Sequence, residues 1–453
     1  MDNKQRNKLL LKEFEEMYQR GEDTITNIQR IINSKQASEL SPGELEVLQV
    51  TNKSLNRRFR GQEAASMVGV SLSAIYQAEK DGRLGQPDIK SNSGNRKIRS
   101  GYTIGQINEM RKVFGTLPRR GKGKKPVSIG VLNLKGGSWK TTISWLLSHY
   151  LAEAGYRVLA IDTDPQGSLT FLNGYRPDID VTYWDTVAPY ILKDVVGLQE
   201  EGLDPEMLDS LAYAVRKTYW PNIDIIPGCM ELLRIDLELP ILTRRLDAVH
   251  EEMFPGTFRT PDHIEYLREG IATVSDDYDI IIMDGTPSLN LSTMNVVTAC
   301  DVTLIPTPAQ MSDYASTLQF TNLILQTIDA YSEIGYYPPM PEVYYGITKF
   351  SDSVYSEWMG KIIRKTFKDR VLDKEAHNSD EIGKAGTQIR SIYEINPNEA
   401  NNPQGLKKAK DRYDEMFSEV LNQIIKPHWE SDDRLDEKTE SSVGSQLMME
   451  GII

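Results

Sequence analysis

The 453-residue chain reads as an α/β protein, a mostly parallel sheet with helices on both faces, preceded by an all-α, winged helix-turn-helix unit. Three observations predict this. An apolar run, Val127 to Leu134, meets a glycine-bearing loop and then Lys140-Thr141 at the head of an amphipathic stretch. Two more apolar runs, Val158–Ile161 and Ile280–Met283, end in carboxylates. A basic block from Thr51 to Lys125 holds two short helical patterns around Gly69. Buried parallel strands read as apolar runs, and ligands of open α/β sheets sit at the carboxyl ends of their strands.

The loop Lys135-Gly136-Gly137-Ser138-Trp139-Lys140-Thr141-Thr142 is the most informative segment. Strand, glycine loop and helix start together aim backbone N–H groups at phosphates. Lys140 is placed to reach the outer phosphate oxygens, and the Thr141 hydroxyl to ligate Mg²⁺. Lys135 adds a second cation before the glycine pair. The pattern G-x-x-x-x-G-K-[ST] fails twice, at Leu134 and Trp139; what fits is K-G-G-x-x-K-[ST]. A glycine turn beside a lysine-capped helix would leave the same residues, so the other strand ends matter.

In Val158-Leu159-Ala160-Ile161-Asp162-Thr163-Asp164-Pro165-Gln166-Gly167, the strand ends in two alternate carboxylates, and Pro165 and Gly167 turn the chain. Asp162 and Asp164 are thus delivered to the ligand edge. Ile280 to Met283 delivers Asp284 likewise, as a Walker-B aspartate that holds Mg²⁺ through water. A capping aspartate after a core strand explains either alone, but not the ordered set of three. Further strands are expected at Ile223–Pro227, Val302–Pro306 and Val343–Thr348.

Composition narrows the class. Two cysteines, Cys229 and Cys300, allow neither a disulfide framework nor a zinc cluster. The first residues lack an apolar signal core and no run is long enough to span a membrane, so a cytoplasmic location is expected. Thr51 to Lys125 carries seventeen Lys/Arg against five Asp/Glu, a net of +12, which leaves −25 for the rest of a chain of formal charge −13. A basic block on an acidic protein points to a polyanion, although a solvated basic face would look the same.

Glu63 to Lys80 reads as helix, turn at Gly69, second helix, with Ser71 as N-cap. Ala65, Val70 and Ile75 would join the helices, while Ser73, Tyr76, Gln77 and Lys80 face outward. That is a helix-turn-helix, whose second helix enters the major groove. Arg96-Lys97-Ile98-Arg99 follows a Ser/Asn/Gly turn as a basic wing. Ser71, Ser73, Tyr76, Gln77, Lys80, Arg96, Lys97 and Arg99 are the candidate DNA contacts of this unit.

The expected boundaries follow. Residues 1–50 form a helical segment from about Lys4 to Asn33, broken near Gly21, whose Leu9, Leu10, Phe14 and Met17 offer a packing or dimer face. Residues 51–118 are the DNA-binding unit, and 119–126 a basic linker with nothing to bury. Residues 127–429 are the nucleotide-binding unit, and 430–453 an acidic, disordered tail; a Ser-Pro-Gly turn at Ser41 to Gly43 follows the helix of the first segment.

From about Arg57 to Trp429 the chain resembles the large ParA/SopA-type partition ATPases of the deviant Walker-A, ParA/MinD group. Gly101 to Arg111, Ile305-Pro306-Thr307-Pro308-Ala309, Asp313-Tyr314, Asp380 to Lys384 and Gln388 to Glu394 extend the likeness beyond the loop and the aspartates. The resemblance implies a P-loop NTPase that uses ATP and Mg²⁺, yields ADP and forms an ATP-dependent homodimer. It implies sequence-independent coating of nucleoid DNA, stimulation by a ParB-type centromere-binding partner, and repression of its own operon through the helix-turn-helix, favoured by ADP. By the same resemblance Lys135 contacts phosphate across the dimer, Lys140 binds the β- and γ-phosphates, and Thr141 holds Mg²⁺. Asp164 positions water, Asp162 and Asp284 order the metal's surroundings, and Lys384 and Arg390 touch DNA phosphates. Pro306, Pro308, Thr348 and Lys349 lie where the family approaches the base. Trp139 departs from the small residue commonest before the lysine, and its ring is expected to face away from the phosphates, toward a partner subunit. Arg390 has a plainer reading, an i,i+4 pair with Glu394 in a helix.

Two rivals share these motifs. A MinD-like regulator should end in a basic amphipathic helix, whereas the segment after Trp429 is acidic. A transcriptional repressor that uses ATP only as an allosteric ligand keeps every motif. A nitrogenase-type electron carrier is disfavoured by where Cys229 and Cys300 fall.

Overall fold

A computed structural model describes residues 3–34, 50, 53–87, 89–91, 97–193, 205–255 and 262–430. Arg96, the turn at Ser41–Gly43 and the acidic tail lie outside them. The chain divides into two compact units, Met1–Lys53 and Ser54–Ile453. In the first, one helix runs unbroken from Asn3 to Ser34. Gly21 does not interrupt it, since a mid-helix glycine costs only about 0.5–1 kcal/mol. Leu10, Phe14 and Met17, at i, i+4 and i+7, are exposed on it.

The second unit is built on a seven-stranded sheet in the order β5-β6-β4-β7-β3-β8-β9. These strands are β3 (Val127–Val131), β4 (Val158–Asp162), β5 (Arg216–Lys217), β6 (Ile223–Ile226), β7 (Ile280–Asp284), β8 (Val302–Pro308) and β9 (Glu342–Thr348). All neighbours pair parallel except β5, an antiparallel edge that the sequence reading missed. Two residues are too short a run to carry a period. Alternate residues of β4 and β7 enter opposite cores. Leu159, Ile161, Ile281 and Met283 pack on one face. Val158, Ala160, Ile280 and Ile282 pack on the other, beneath the P-loop helix Lys140–Ala154 and the helix Pro403–Glu419. Both faces being covered is why these strands are continuously apolar.

Ahead of the sheet, helices Gly61–Val68, Leu72–Lys80 and Ile104–Phe114 enclose a third core of Phe59, Ala65, Ile75, Ile107 and Met110. Gly69 closes the first helix at φ 78, and its N–H is donated to the carbonyls of Ala65 and Ser66. Ser71 caps the second, accepting from the Ala74 N–H at 3.2 Å. Strands β1 (Ile89–Ser91) and β2 (Lys97–Arg99) pair antiparallel as the wing.

This unit is not a separate body on a spacer. Arg57 is buried and donates to Glu153 Oε2 at 3.2 Å, at the far end of the P-loop helix, and to the Tyr393 carbonyl at 2.8 Å. Lys410 closes on Glu153 from the other side at 3.1 Å. Nor does the 119–126 segment span empty space. Arg119 donates to the Gly155 carbonyl, Arg120 to the Asp276 carbonyl, and Pro126 is buried. The expectation of a linker with nothing to bury is corrected: the guanidinium groups find partners on the sheet's lower edge.

Candidate nucleotide site and helix-turn-helix surface

The P-loop leaves β3 and enters its helix at Lys140, as the spacing predicts. Gly137 has φ 72, and Trp139 sits in the same left-handed region at φ 74 as the residue before the helix. Such a backbone costs a non-glycine residue about 1–2 kcal/mol, and glycine is what the general pattern places there. Trp139 is half-buried, its ring packed on the core beneath the P-loop helix of its own chain. The expected outward placement toward a partner subunit is thereby corrected: the ring has apolar neighbours within reach, and burying it offsets part of the backbone cost.

Lys140 is buried and donates to the Lys135 carbonyl at 3.2 Å. Burial pulls its pKa below the ordinary lysine value, against the opposing pull of Asp284 and Asp164. Lys135 is half-exposed, its Nζ 3.8 Å from Asp313 Oδ1. Asn133 orders the strand's exit, accepting from the Lys135 N–H and donating to the Pro306 carbonyl and Thr317.

Asp162 and Asp284 stand opposite each other in the β4–β7 register, both fully buried. Thr141 donates to Asp284 Oδ2 at 2.6 Å and Ser144 to Oδ1 at 2.9 Å. Thr163 donates to the Asp284 carbonyl at 2.7 Å. Asp162 is held differently. Its Oδ2 accepts from the backbone N–H and the hydroxyl of Thr170, at 2.8 and 2.7 Å, and its Oδ1 accepts from the Asp164 N–H. Burial raises the pKa of both carboxyls, and for Asp284 the neighbouring Asp162 charge raises it further. Asp162 therefore ties the 162–170 loop to the sheet, a tie that the sequence reading did not foresee. Asp164, nearly buried at the loop's crest, accepts from the Gln166 N–H through Oδ1. Gly285, after Asp284, has no room for a side chain: an added Cβ would fall 2.1 Å from Leu132 Cδ2.

Residues around the expected base site divide. Pro306 and Pro308 are buried in β8, Pro308 opposite Thr348 in the ladder. They present no surface to a base, and their assignment is corrected on that ground. Thr348 donates to the Ser138 carbonyl at 3.2 Å, and the Lys349 ammonium lies 3.8 Å from where a Cβ on Gly137 would stand. Both are thus tied to the phosphate loop.

The loop fits a triphosphate and Mg²⁺. Among the described residues, the N–H groups of Gly136, Gly137 and Ser138 meet no backbone carbonyl, and the buried Ser138 hydroxyl has no hydrogen-bond partner. Each is a polar group awaiting an acceptor or donor. Among those residues no cluster of three or more His, Cys, Asp or Glu could hold a metal. Mg²⁺ takes one or two protein oxygens and fills its shell with water and phosphate; Thr141 and Asp284 offer such oxygens at the loop. Burial pushes the Cys229 and Cys300 thiols up to about 12, far from metal-binding thiolates.

Ser144, Thr163, Thr170 and Gly228 escaped the sequence reading. Ser144 lay within reach: it follows Lys140 by four and Thr141 by three, and so shares their helix face. Thr170 and Gly228, whose N–H is donated to the Thr170 hydroxyl at 2.8 Å, meet only through the fold.

In the helix-turn-helix, Ser71, Ser73, Tyr76, Gln77 and Lys80 are all exposed along one helix. The Ser71 and Ser73 hydroxyls are 2.9 Å apart, and Gln77 donates to Asp81 at 2.7 Å. Of the wing, Lys97 is defined in its backbone. Arg99 is exposed, and its guanidinium binds the buried Glu79 and lies 4.7 Å over the Tyr76 ring, which anchors the wing to the Leu72–Lys80 helix. Lys384 is exposed beside Glu381 at 2.9 Å on the helix Asp380–Thr387. Arg390 lies in the turn after that helix, donating to the Glu394 carbonyl at 3.0 Å and lying 3.5 Å from Glu399. The helical pair with the Glu394 carboxylate is not formed; that carboxylate accepts from Ser391 N–H and Tyr219.

Fold and site together define a P-loop nucleotide hydrolase with a helix-turn-helix unit packed on it. A family model described as an AAA domain matches residues 127–333. The chain is 37% identical to protein SopA of Escherichia coli strain K12 over 381 residues, 83% of this chain and 91% of that one. Similarity extends to the sporulation initiation inhibitor protein Soj of Bacillus subtilis, 32% identical over 202 residues, covering 44% of this chain and 64% of Soj. A solved partition protein shares the fold at TM-score 0.59 and 23% identity, covering 84% of this chain and 95% of its own. The chain belongs to the SopA/ParA family of partition ATPases. Among the described residues no helix is long and apolar enough to cross a membrane.

Proposed function

We propose that the chain segregates DNA by an ATP-driven cycle. ATP joins two copies, the dimer coats DNA without sequence preference, and a ParB-type partner stimulates hydrolysis and release. The helix-turn-helix, in the ADP state, represses the chain's own operon. The observation that carries the reading is the cluster of Lys140, Thr141, Ser144 and Asp284 at the mouth of an unsatisfied loop, in a chain that matches SopA over most of its length.

In this cycle the N–H groups from Gly136 to Thr142 and the Lys140 ammonium bind the β- and γ-phosphates. Burial keeps that ammonium free of competing water, which strengthens its pull. Lys135 leaves Asp313 to reach the partner copy's nucleotide. Thr141, whose hydroxyl now donates to Asp284, and Asp284 itself would hold the metal. Mg²⁺, when bound, neutralises phosphate charge as the bond breaks. Asp164 accepts a proton from the attacking water and orients it in line. Lys349 and Thr348 steady the loop from the β9 side. Lys384 and Arg390 meet phosphates of random DNA, while Ser73, Tyr76, Gln77 and Lys80 meet base edges.

The test is Asp164→Ala. ATP binding and ATP-dependent dimerisation should survive, and turnover with DNA and partner present should fall by about 100-fold or more. Wild-type turnover in that variant would overturn the assignment.

A further inference from the structure

A cleft of about 610 Å³ opens between the helix-turn-helix and the ATPase half. One wall carries Arg58, Arg60, Tyr76 and Arg99; the other is the segment Asn396 to Glu399. Tyr76 belongs to the exposed face of the Leu72–Lys80 helix, so the cleft begins where that helix offers its side chains. Arg99 is committed to Glu79, so Arg58 and Arg60 face the one carboxylate of the far wall, Glu399, which also lies 3.5 Å from Arg390. The two walls are already joined. The Arg58 N–H is donated to Asn396 Oδ1 at 3.1 Å, and Arg60 donates to Asn398 Oδ1 at 3.4 Å.

A cationic cleft edged with amides and continuous with a helix-turn-helix suits the sugar-phosphate backbone. The first helix of such a motif crosses that backbone while the second enters the groove. Arg60 immediately precedes the first helix, Gly61–Val68. We propose that Arg60 and Asn398 clamp one DNA strand beside the base pairs read by the Leu72–Lys80 helix, so that the operator is held by both halves of the chain. The clamp rests on the reading of that helix as the base-reading element. Its weight is electrostatic: each arginine–phosphate contact releases counterion and steepens the salt dependence. The cleft also places the operator strand one side chain, Glu399, away from Arg390. Specific and random DNA thus meet the ATPase half on adjacent parts of one segment.

The experiment uses the full chain with ADP and a labelled duplex from immediately upstream of its own reading frame. A random duplex with ATP is the second probe, and both are read by fluorescence anisotropy across a salt series. Arg60→Gln should lower upstream-duplex affinity and flatten its log-affinity against log-salt slope by about 0.9. Asn398→Asp, which adds a charge to the far wall, should weaken the same duplex several-fold. Both should bind the random duplex as the wild type does. Wild-type affinity and slope for the upstream duplex in both variants overturns the clamp, and so does equal weakening on both duplexes. Gln77→Ala separates this from the reading beneath it. If Gln77→Ala loses preference for the upstream duplex while the two cleft variants keep it, the clamp alone is wrong. If Gln77→Ala keeps full preference, the base-reading assignment fails and takes the clamp with it.

Discussion

Asp162 and Asp284 end neighbouring parallel strands, face each other in register and are equally buried, yet they are satisfied in different ways. Asp284 is held by the hydroxyls of Thr141 and Ser144, groups that can rotate away. Asp162 is held by two backbone N–H groups and a threonine that is itself fixed by Gly228. A hydroxyl swings at the cost of one rotamer change, whereas a backbone amide moves only with its loop. Asp284 can thus be released by its partners, while Asp162 stays tied to its loop. The strand pattern is the same for both; the partners decide the role.

The largest expected effect tests the available carboxylate. Asp284→Asn should lower Mg²⁺-dependent ATP turnover by about 10- to 100-fold, the range for groups around a bound metal. It should leave the urea midpoint of the nucleotide-free protein unchanged or raised, because it removes a carboxyl whose charge burial disfavours. Asp162→Asn should show the reverse. An amide cannot accept on both sides, so a buried N–H is left facing an NH₂, costing about 1–3 kcal/mol of stability with or without nucleotide. Should the first variant unfold the chain and the second merely slow turnover, the comparison is broken.

The partners sharpen the contrast at smaller amplitude. Thr170→Val removes the hydroxyl joining Asp162 to Gly228 and should destabilise by about 1–2 kcal/mol. Ser144→Ala leaves Asp284 its Thr141 partner and should cost less, about 0.5–1 kcal/mol. A paired denaturation series decides, and equal losses would erase the distinction. Smallest of all is Trp139→Gly. Relief of the left-handed backbone, about 1–2 kcal/mol, opposes the lost ring packing and the added chain freedom. Stability should stay within about 1 kcal/mol of wild type, and nucleotide affinity within a few-fold. A large gain in affinity on titrating a fluorescent ATP analogue would mean that the ring crowds the loop.

Local chemistry was legible in the sequence, and long-range chemistry was not. The P-loop, Asp164 and Asp284 declare themselves because strand, loop and carboxylate are contiguous. The Ser71 cap and the Gly69 turn did so for the same reason. The tie of Asp162 to Thr170 was not legible because Thr170 lies beyond a turn and gives no periodic signal. The pairing of Arg99 with Glu79 was not legible because they are twenty residues apart, and a buried glutamate on a helix reads as a surface one until its neighbours are known. Pro308 lies beyond the expected strand end at Pro306, and both prolines end up inside the sheet.

The Arg57 contact bears on where the chain can be cut. A fragment beginning at Val127 would strip the guanidinium from Glu153 and the Tyr393 carbonyl, and remove Arg119 from Gly155. The exposed end would belong to the helix that begins at Lys140 of the P-loop. An ATPase fragment fit for biochemistry should start at Ser54, at the break between the two compact units. A hybrid that borrows its helix-turn-helix from a relative must bring a cation to the place of Arg57, or leave Glu153 to Lys410 alone among the described ion pairs.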